Sequence, residues 1–508
     1  MLNDSHINWF KLYISAIILC ALIQIVAIDS SFDNQYCSFL LGFATIVSAL
    51  YIKQLDSFMY PNSTMILLGF NIGLCTIPLL AKTATVSSLV DGLNEPDLTF
   101  ELTASLTILT VLLHFIYTKS VLGLPLRRLV HSHLKRNINI TNSTPIPFLI
   151  SLMIVSFILT KPYIEPTIFK LAQPFFQFIY LPLAISLHFL MVRILGNINP
   201  YLWHRTFLWL IISLCISFLL SLSTNSRSAL LQPLVIWLSI SLLLITTRSI
   251  NSKNSLICFS FVIILLSFPF IHAISNSILY TRAYRSVISN SELVSLNLTI
   301  IGKRLDTTIH GNESSIWWSE KYLPHEFLNR ISPIKMLDNS ITISQRVSDS
   351  HLRIYKQFQY LRFVSILPSP LPSIFGVSSD RKVSLNRYTS ADILSGFISR
   401  QTESRMLLGN LLSDLYILFG WLYPLYYGCS LLLIYILADL LSVVVKSTGF
   451  YVPSVIGVIM APKHLLLFLN PSFVDIFVGY SRSFLESMVA YIIIVALAQK
   501  LLQLKQPL

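Results

Sequence analysis

Charge is what this 508-residue sequence has least of, because Asp, Glu, Lys and Arg together make up only 12% of it. A soluble domain carries roughly a quarter charged residues, so half of the usual solvating charge is missing. Hydrophobic residues make up 54%, and the mean hydropathy is +0.69. Apolar runs of roughly 20 residues recur along the chain, which is the length needed to cross about 30 Å of hydrocarbon. The composition therefore predicts an all-α polytopic membrane protein.

Several signatures of soluble chemistry are also absent. The six cysteines lie within or beside apolar segments, and their spacing shows neither a disulfide framework nor a metal site. The sequence has no HExxH, no paired CxxC, no Walker loop, no GxSxG and no Rossmann glycine pattern. ATP-driven transport and metal-dependent hydrolysis thus have no support, and we expect neither a cofactor nor a metal.

About twelve transmembrane helices are predicted, near 10–28, 37–53, 64–82, 101–119, 146–160, 175–195, 207–222, 229–247, 255–274, 407–438, 450–469 and 483–501. The chain then divides into helices 1–9 (residues 1–274), a large hydrophilic loop (275–404) and helices 10–12 (405–508). The tenth window is longer than one span, so we expect it to include an entry helix around 405–414 in or near the interface.

The distribution of basic residues predicts the orientation. The connection after the fourth span is the most basic of the short ones, and Lys53, Lys446 and Lys500 fall on the same side of the membrane. The opposite connections are poorer in basic residues, and the positive-inside rule then places both termini in the cytoplasm. The net charge of +13 is explained in this way, so we expect no nucleic acid partner.

The long loop breaks this pattern, because it lies on the outer side and is still basic, with ten Arg and five Lys against ten acidic residues. Long loops translocate largely regardless of charge, so the predicted topology stands. Its aromatic residues and the helix-compatible runs 286–301 and 348–364 predict an ordered loop with short helices.

Arg227 is the most prominent cation outside the loop. It lies in the short turn Asn225-Ser226-Arg227-Ser228-Ala229 between spans seven and eight, at the outer surface. A guanidinium beside the free N–H groups of a helix start suits a phosphate group. The simpler alternative is that Arg227 extends to lipid headgroups.

Five loop arginines extend this hypothesis. Arg282 and Arg285 follow span nine and are three residues apart, hence on one helix face. Arg346, Arg353 and Arg362 follow at spacings of seven and nine, which predicts a shared face for at least the first two. The alternative for each is a surface ion pair with an acidic residue of the loop.

A carboxylate at the start of span ten completes the candidate set. Asp414, with Tyr416 two residues further on, would lie at the membrane boundary beside the loop. Its alternative role is that of an ordinary acidic residue in the first turn of a helix. The loop histidines His310, His325 and His351 are candidate general bases, and their spacing selects none of them.

These features resemble a known family. About twelve spans, a large outer loop between spans nine and ten, and the turn Asn-Ser-Arg-Ser-Ala-Leu are similar to the bacterial O-antigen and oligosaccharide repeat-unit polymerases of the Wzy type. The family turn commonly reads Ser-Arg-Gly, and Ser228 stands here in place of that glycine. The segment 408–420 (LGNLLSDLYILFG) also resembles the family's Gly, acidic, Tyr and Phe-Gly pattern ahead of span ten.

The resemblance implies a GT-C-like architecture in the bacterial inner membrane and a metal-independent glycosyltransferase. Such enzymes transfer a glycan from undecaprenyl diphosphate to the next lipid-linked repeat unit and release undecaprenyl diphosphate. Arg227, Arg285 and Asp414 would then be catalytic. Diphosphate and glycan would be bound by Arg227, Arg282, Arg285, Arg346, Arg353 and Tyr416. The partners implied are the lipid-linked oligosaccharide, membrane lipids and a chain-length regulator (polysaccharide co-polymerase).

Three alternatives stay open. The O-antigen ligase shares this topology, but ligases tend to carry a His-Asn pair where this chain has Gly409-Asn410. A transferase that uses polyprenyl-phosphate sugars usually has an acidic motif in the first outer loop, where residues 30–36 offer only Asp33. A lipid-linked oligosaccharide flippase would have no role for so long an outer loop. The sequence does not specify the sugar, the linkage or the oligomeric state.

Overall fold

The computed structural model describes most of the chain in detail. The described residues are 9–55, 57–125, 127–128, 148–152, 155, 173–195, 203–224, 227–246, 273–274, 277–278, 281, 290–302, 318–319, 321–323, 326–367, 370–385, 388–399, 407, 409–445 and 448–503. All statements about the structure refer to these residues.

The first half of the chain consists of long apolar helices. They are α1 (Trp9–Ile23), α2 (Phe32–Gln54), α3 (Pro61–Phe70), α4 (Ile77–Ala84), α5 (Pro96–Lys119), α6 (Leu181–Leu195), α7 (Trp203–Thr224) and α8 (Arg227–Thr246). Short π-helical segments at Gln24–Ile28 and Asn71–Thr76 extend α1 and join α3 to α4, and a 3-10 segment at Gln173–Tyr180 leads into α6.

The second half alternates short helices with further apolar ones. They are α9 (Asn290–Gly302), α10 (Glu326–Ile331), α11 (Ile334–Arg346), α12 (Asp349–Ser365), α13 (Leu371–Ile374), α14 (Ser379–Leu385), α15 (Ser390–Ser399), α16 (Leu411–Phe419), α17 (Tyr423–Leu440), α18 (Val455–Leu465), α19 (Phe473–Phe477) and α20 (Phe484–Gln503). A two-stranded antiparallel hairpin, β1 (Ser442–Val444) and β2 (Tyr451–Pro453), lies between α17 and α18.

Eight helical segments of the described chain are long and apolar enough to cross a membrane. They are Phe10–Ile28, Phe32–Gln54, Pro61–Ala84, Pro96–Lys119, Gln177–Leu195, Arg205–Leu222, Leu411–Leu440 and Phe473–Lys500. Each corresponds to one of the predicted windows, so the all-α membrane class is confirmed. The predicted window 229–247 coincides with a shorter apolar helix, Leu230–Thr246, and the windows 146–160 and 255–274 lie mostly outside the described residues.

The tenth span is a broken helix, and the break differs from the predicted one. An entry helix was expected around 405–414, but α16 runs from Leu411 to Phe419 and ends at Gly420. Gly420 has φ +55°, a left-handed backbone that favours glycine, so the helix stops there and restarts as α17. The predicted span 407–438 is therefore helical over most of its length, and the predicted bounds of its entry helix are wrong.

The predicted eleventh span is also divided. Residues 451–453 of the window 450–469 form strand β2, and Ser454 caps α18 by accepting a hydrogen bond from the Gly457 N–H at 3.2 Å. The 11-residue helix α18 is about 16 Å long, which is shorter than the hydrocarbon core. Nearly all of its side chains are buried, so α18 is an internal helix packed among the others.

The large loop is built into one end of the helix bundle. Ile334, Leu337 and Ile341 of α11 belong to the same apolar core as residues of α2, α5 and α17. The Asp338 carboxylate accepts hydrogen bonds from the backbone N–H groups of Asn94 at 2.9 Å and Glu95 at 2.8 Å, just ahead of α5. We call this end of the bundle the loop end.

The opposite end is closed by a buried arginine. The Arg127 guanidinium donates to the carbonyl of Met59 and lies 3.6 Å from the centroid of the Tyr451 ring. This contact joins the connection after α2, the connection after α5 and strand β2. The three connections therefore lie on one side, as the predicted alternation of spans requires.

Candidate functional site

One face of loop helix α12 carries three buried polar side chains. Tyr355, Gln359 and Arg362 follow a spacing of four and three residues, which places them on one side of a helix. All three are less than a tenth exposed. Polar groups are buried at a cost unless they find partners, so this face must meet a polar surface. We call the contact between this face and the starts of α16 and α19 the polar seam.

Asp414 is the centre of the polar seam. Asn410 caps α16 by accepting a hydrogen bond from the Leu412 N–H at 2.8 Å, which places Asp414 in the first turn of that helix. Asp414 is 1% exposed. The Asp414 Oδ1 atom accepts from the Tyr355 hydroxyl and from the Gln359 Nε2 group at 3.1 Å. Its Oδ2 atom accepts from the backbone N–H of Phe473 at 2.7 Å. One carboxylate thus joins the loop to the starts of two membrane helices.

An ion pair extends the polar seam at the C-terminal end of α12. The Arg362 Nη2 group lies 2.9 Å from the Asp475 Oδ1 atom of α19. The other oxygen of Asp475 accepts from the Ser472 hydroxyl at 2.6 Å. This bridge is mostly shielded from water, and it fixes the loop to the last membrane helix.

The polar seam contains two buried polar atoms with no hydrogen-bond partner in the described chain. They are the Oε1 atom of Gln359 and the Nε atom of Arg362. An acceptor and a donor lie one helical turn apart, on residues that already hold carboxylates through their other atoms. A hydroxyl group can satisfy both, since it donates and accepts.

Tyr355 acts in the polar seam as a hydrogen-bond donor. Burial, and then the negative charge of Asp414, raise the pKa of its phenol well above its usual value. The phenol therefore keeps its proton at physiological pH and donates it to the carboxylate in a hydrogen bond. The pair is therefore a hydrogen-bond acceptor and its donor.

Of the predicted loop arginines, Arg362 lies in the polar seam, and the structure separates Arg346 and Arg353 from it. Arg346 and Arg353 are both exposed. They do not share a helix face as their spacing predicted, because α11 ends at Arg346 and Val347 is extended before α12 begins. Tyr416 is partly buried, and its ring packs edge-on against Trp421, with 5.5 Å between centroids. Of Asp414 and Tyr416, which were predicted together, only Asp414 lies in the polar seam.

Of the other predicted arginines, only Arg227 lies in a helix that the structure describes. Arg227 is the first residue of α8, two residues before the predicted start of span eight. Leu222 and Leu230, on either side of that corner, pack in one cluster with Ile274 and Ile278. Arg282 and Arg285 lie outside the described residues. The nearest described residue, Thr281, donates from its hydroxyl to the Asn297 side chain of α9 at 3.0 Å.

Of the three candidate histidines, His351 is the one that the structure describes. The His351 ring stacks on Phe397, with 4.8 Å between centroids, and its Nδ1 atom lies 3.0 Å from the Ser348 hydroxyl. His310 and His325 lie outside the described residues.

Sequence reasoning overlooked the partners of Asp414. Tyr355 and Gln359 precede it by 59 and 55 residues, and Asp475 was not considered. The available signal was the polar spacing inside the predicted helix 348–364. A polar residue at every third or fourth position of a loop helix indicates a buried polar contact if that helix docks.

No family model, no curated protein and no solved structure matches this chain. The function must therefore be argued from the chain itself.

Proposed function

We propose that this protein polymerises undecaprenyl-diphosphate-linked oligosaccharide repeat units at the periplasmic face of the bacterial inner membrane. The observation that carries the proposal is the polar seam, in which an ordered loop helix and the start of a membrane helix share one buried carboxylate. An enzyme that joins two lipid-linked glycans needs membrane helices for the lipids and an ordered polar structure at their ends for the sugars.

In this proposal the corner around Arg227 binds the diphosphate. The anomeric carbon of the growing glycan forms a bond to a hydroxyl oxygen of the incoming unit, and its bond to the diphosphate oxygen breaks. The hydroxyl proton passes to a base, and undecaprenyl diphosphate leaves with the bonding electrons. Arg227, Arg282 and Arg285 would neutralise the charge that develops on the leaving group.

The placement of Leu222, Leu230, Ile274 and Ile278 supports this grouping. These residues bring the chain just before Arg282 into the same cluster as the corner that contains Arg227. The proposal is also supported by the resemblance of the turn 225–229 to the Ser-Arg-Gly turn of Wzy-type polymerases.

Asp414 has a positioning role in this proposal. It is buried and already accepts three hydrogen bonds, so it holds Tyr355 and Gln359 in place rather than contacting the reacting atoms. The unpartnered oxygen of Gln359 would accept a hydrogen bond from the acceptor glycan. Arg346 and Arg353, being exposed, would bind glycan or lipid only at the edge of the site.

Twelve spans, a GT-C-like arrangement and cytoplasmic termini belong to the same proposal. The twelve would consist of the eight helices that are long enough, the helix at 227–246, the segment 451–472, and the two windows that lie mostly outside the described residues. The segment 451–472 contains the short helix α18 and runs from Tyr451, beside Arg127, to the residue before Phe473, beside Asp414. A chain-length regulator would dock on such an enzyme from the periplasmic side.

The packing around Gly409 favours a polymerase over an O-antigen ligase. Ligases tend to have a histidine at this position, beside the asparagine. A Cβ atom on Gly409 would lie 2.2 Å from the Pro471 carbonyl oxygen and 2.3 Å from the Ser390 hydroxyl. There is no room for a histidine side chain, while Asn410 is used as a helix cap.

Deletion of the gene in its host tests the proposal. We expect lipopolysaccharide gels to show lipid A core with a single repeat unit in place of a ladder. Loss of all repeat units from lipid A would instead identify a ligase. A normal ladder would exclude both functions.

Arg227→Ala tests the diphosphate site within that function. We expect this variant to insert into the membrane at the wild-type level and to give the single-unit pattern, because the leaving-group charge is no longer neutralised. Arg128→Ala is the matched control, since Arg128 is an exposed arginine at the opposite end. A wild-type ladder from Arg227→Ala would remove Arg227 from the mechanism.

A further inference from the structure

Three exposed apolar side chains project from one short turn of the loop. Leu371 is 43% exposed, Ile374 is 74% exposed and Phe375 is 51% exposed. We call these three residues the apolar tip. The clustering of large apolar side chains on a water-facing loop is unfavourable and marks a surface that contacts something else.

The apolar tip is held rigidly by its own small core. Val377, just after the tip, is buried in a cluster with Val364 of α12 and Leu385 of α14. The Val377 N–H also donates to the Pro372 carbonyl at 3.0 Å, which closes the turn. The exposure of the tip is therefore a property of an ordered three-helix unit, α12–α14.

This unit packs beside the last membrane helix, below its start. Phe363 of α12 meets Phe477 edge-on, with 5.4 Å between ring centroids. Burial, and then the charge of Arg482, lower the pKa of the Lys382 ammonium of α14. Arg482 follows Phe473 by nine residues, which is about 14 Å along a helix. The loop unit thus packs beside the start of the span, at Phe477.

Arg482 also marks the expected level of the membrane surface. The candidate span Phe473–Lys500 has 28 residues, so it is about 42 Å long and exceeds the hydrocarbon core by about 12 Å. Arg482 pairs with Glu486 at 2.8 Å, and both side chains are about half exposed. An exposed ion pair is costly in hydrocarbon, so it belongs at the headgroup level, with only apolar helix surface below it.

The exposed surface of α20 in the same span is apolar. Leu485 and Val489 of α20 are 61% and 58% exposed, as expected for side chains that face acyl chains. Because the unit α12–α14 packs against Phe477, which precedes Leu485 by eight residues in the same span, its apolar surface lies beside the start of this exposed apolar surface.

We propose that the apolar tip inserts into the membrane interface on the loop side, so that the loop is anchored in the lipid beside span twelve. The occupant of this surface is the lipid leaflet itself. Apolar side chains on a short ordered turn, with Lys382 and Arg482 at headgroup level, fit the boundary between headgroups and acyl chains. The proposal does not depend on the enzymatic function.

Fluorescence quenching by brominated lipids tests the anchor. A fluorescent amino acid is incorporated by amber suppression at Ile374 of the full-length chain, which is then reconstituted in vesicles whose lipids carry bromine on the upper acyl carbons. We expect strong loss of fluorescence. The matched control is the same label at Ser350, an exposed residue in the first turn of α12, where we expect little loss.

Equal quenching at the two positions would overturn the proposal. Iodide in the water then identifies what surrounds the tip instead. Free access of iodide to position 374 means that the tip faces water, and protection from both quenchers means that protein covers it, so either result also contradicts a lipid anchor. A label at Ser373, exposed in the same turn, repeats the measurement if the Ile374 variant does not fold.

Discussion

Asp414 shows how one carboxylate can join distant parts of a chain inside a membrane protein. Its three hydrogen-bond donors come from α12 and from the backbone at the start of α19. Sequence reasoning could identify Asp414, because an acidic residue at the start of an apolar helix is conspicuous. It could not identify the donors, because local patterns do not show which helices meet.

Removal of this carboxylate should destabilise the fold. Asp414→Ala leaves the Tyr355 hydroxyl and the Phe473 N–H buried without an acceptor, at about 1–3 kcal/mol each. We expect a clear fall in the thermal unfolding temperature in detergent, and a smaller fall for Tyr355→Phe, which removes one donor and keeps the carboxylate's other bonds. A melting temperature for Asp414→Ala equal to that of the wild type would mean that the polar seam does not stabilise the loop.

Gly409 should tolerate no side chain. Gly409→Ala places a methyl group 2.2 Å from the Pro471 carbonyl oxygen, so backbone must move at a cost of about 1–3 kcal/mol. The control is Gly479→Ala, where the added methyl group has no atom within 4 Å. We expect lower expression and a lower unfolding temperature for the first variant only, and equal behaviour of the two would contradict the packing at Gly409.

At the scale of elements, the apolar pattern predicted that a segment lies in the helix bundle more reliably than it predicted whether that segment is a strand, a short buried helix or a span. The window 450–469 is mainly apolar up to Lys463, which is equally compatible with a strand, a buried helix or a span. The structure uses all of it inside the protein: the Tyr451 N–H donates to the Phe58 carbonyl at 2.7 Å, and α18 packs against α3. Only the tertiary partners decide among these forms, and the sequence does not name them.

The contact of α3 and the π-helical segment after it with α18 and the residues after α18 depends on small residues four apart. A Cβ atom on Gly69 would lie 1.8 Å from the Leu465 carbonyl oxygen, and one on Gly73 would lie 1.9 Å from the Phe468 ring. Glycines at this spacing let helices approach closely in a membrane. The motif is visible in the sequence, although its partner is not.

Gly69→Ala should therefore push α3 and α18 apart. The added methyl group would meet the Leu465 backbone, which cannot move aside as a flexible side chain can. We expect this variant to lose more thermal stability than Gly42→Ala, whose added methyl group would meet the Ala21 Cβ atom at 3.4 Å, an ordinary contact. Unfolding followed by intrinsic fluorescence in detergent compares the two. If Gly42→Ala were the less stable variant, the close approach of α3 and α18 would be wrong.

At the scale of the whole molecule, the described contacts agree with an alternation of spans. The connection before α2 meets the connection before α5 at the loop end, where the Ser88 hydroxyl donates to Asp29 at 2.8 Å. Arg127 lies at the opposite end, with Met59 and Tyr451. The positive-inside rule could predict this division because it depends only on counting charges in connections, whereas the docking of α11 and α12 depends on shapes that no count records.

The sidedness of the loop is then a prediction about the intact cell. Ser350→Cys lies in the loop and Gln54→Cys lies at the end of α2, and both positions are exposed. If the loop is periplasmic, a thiol reagent that cannot cross the inner membrane should label Ser350→Cys in intact cells and Gln54→Cys only after lysis. The wild-type chain, with its six cysteines, gives the background. The reverse pattern would place the loop in the cytoplasm, and the proposed polymerase would fail with it, because its diphosphate site would face the wrong side of the membrane.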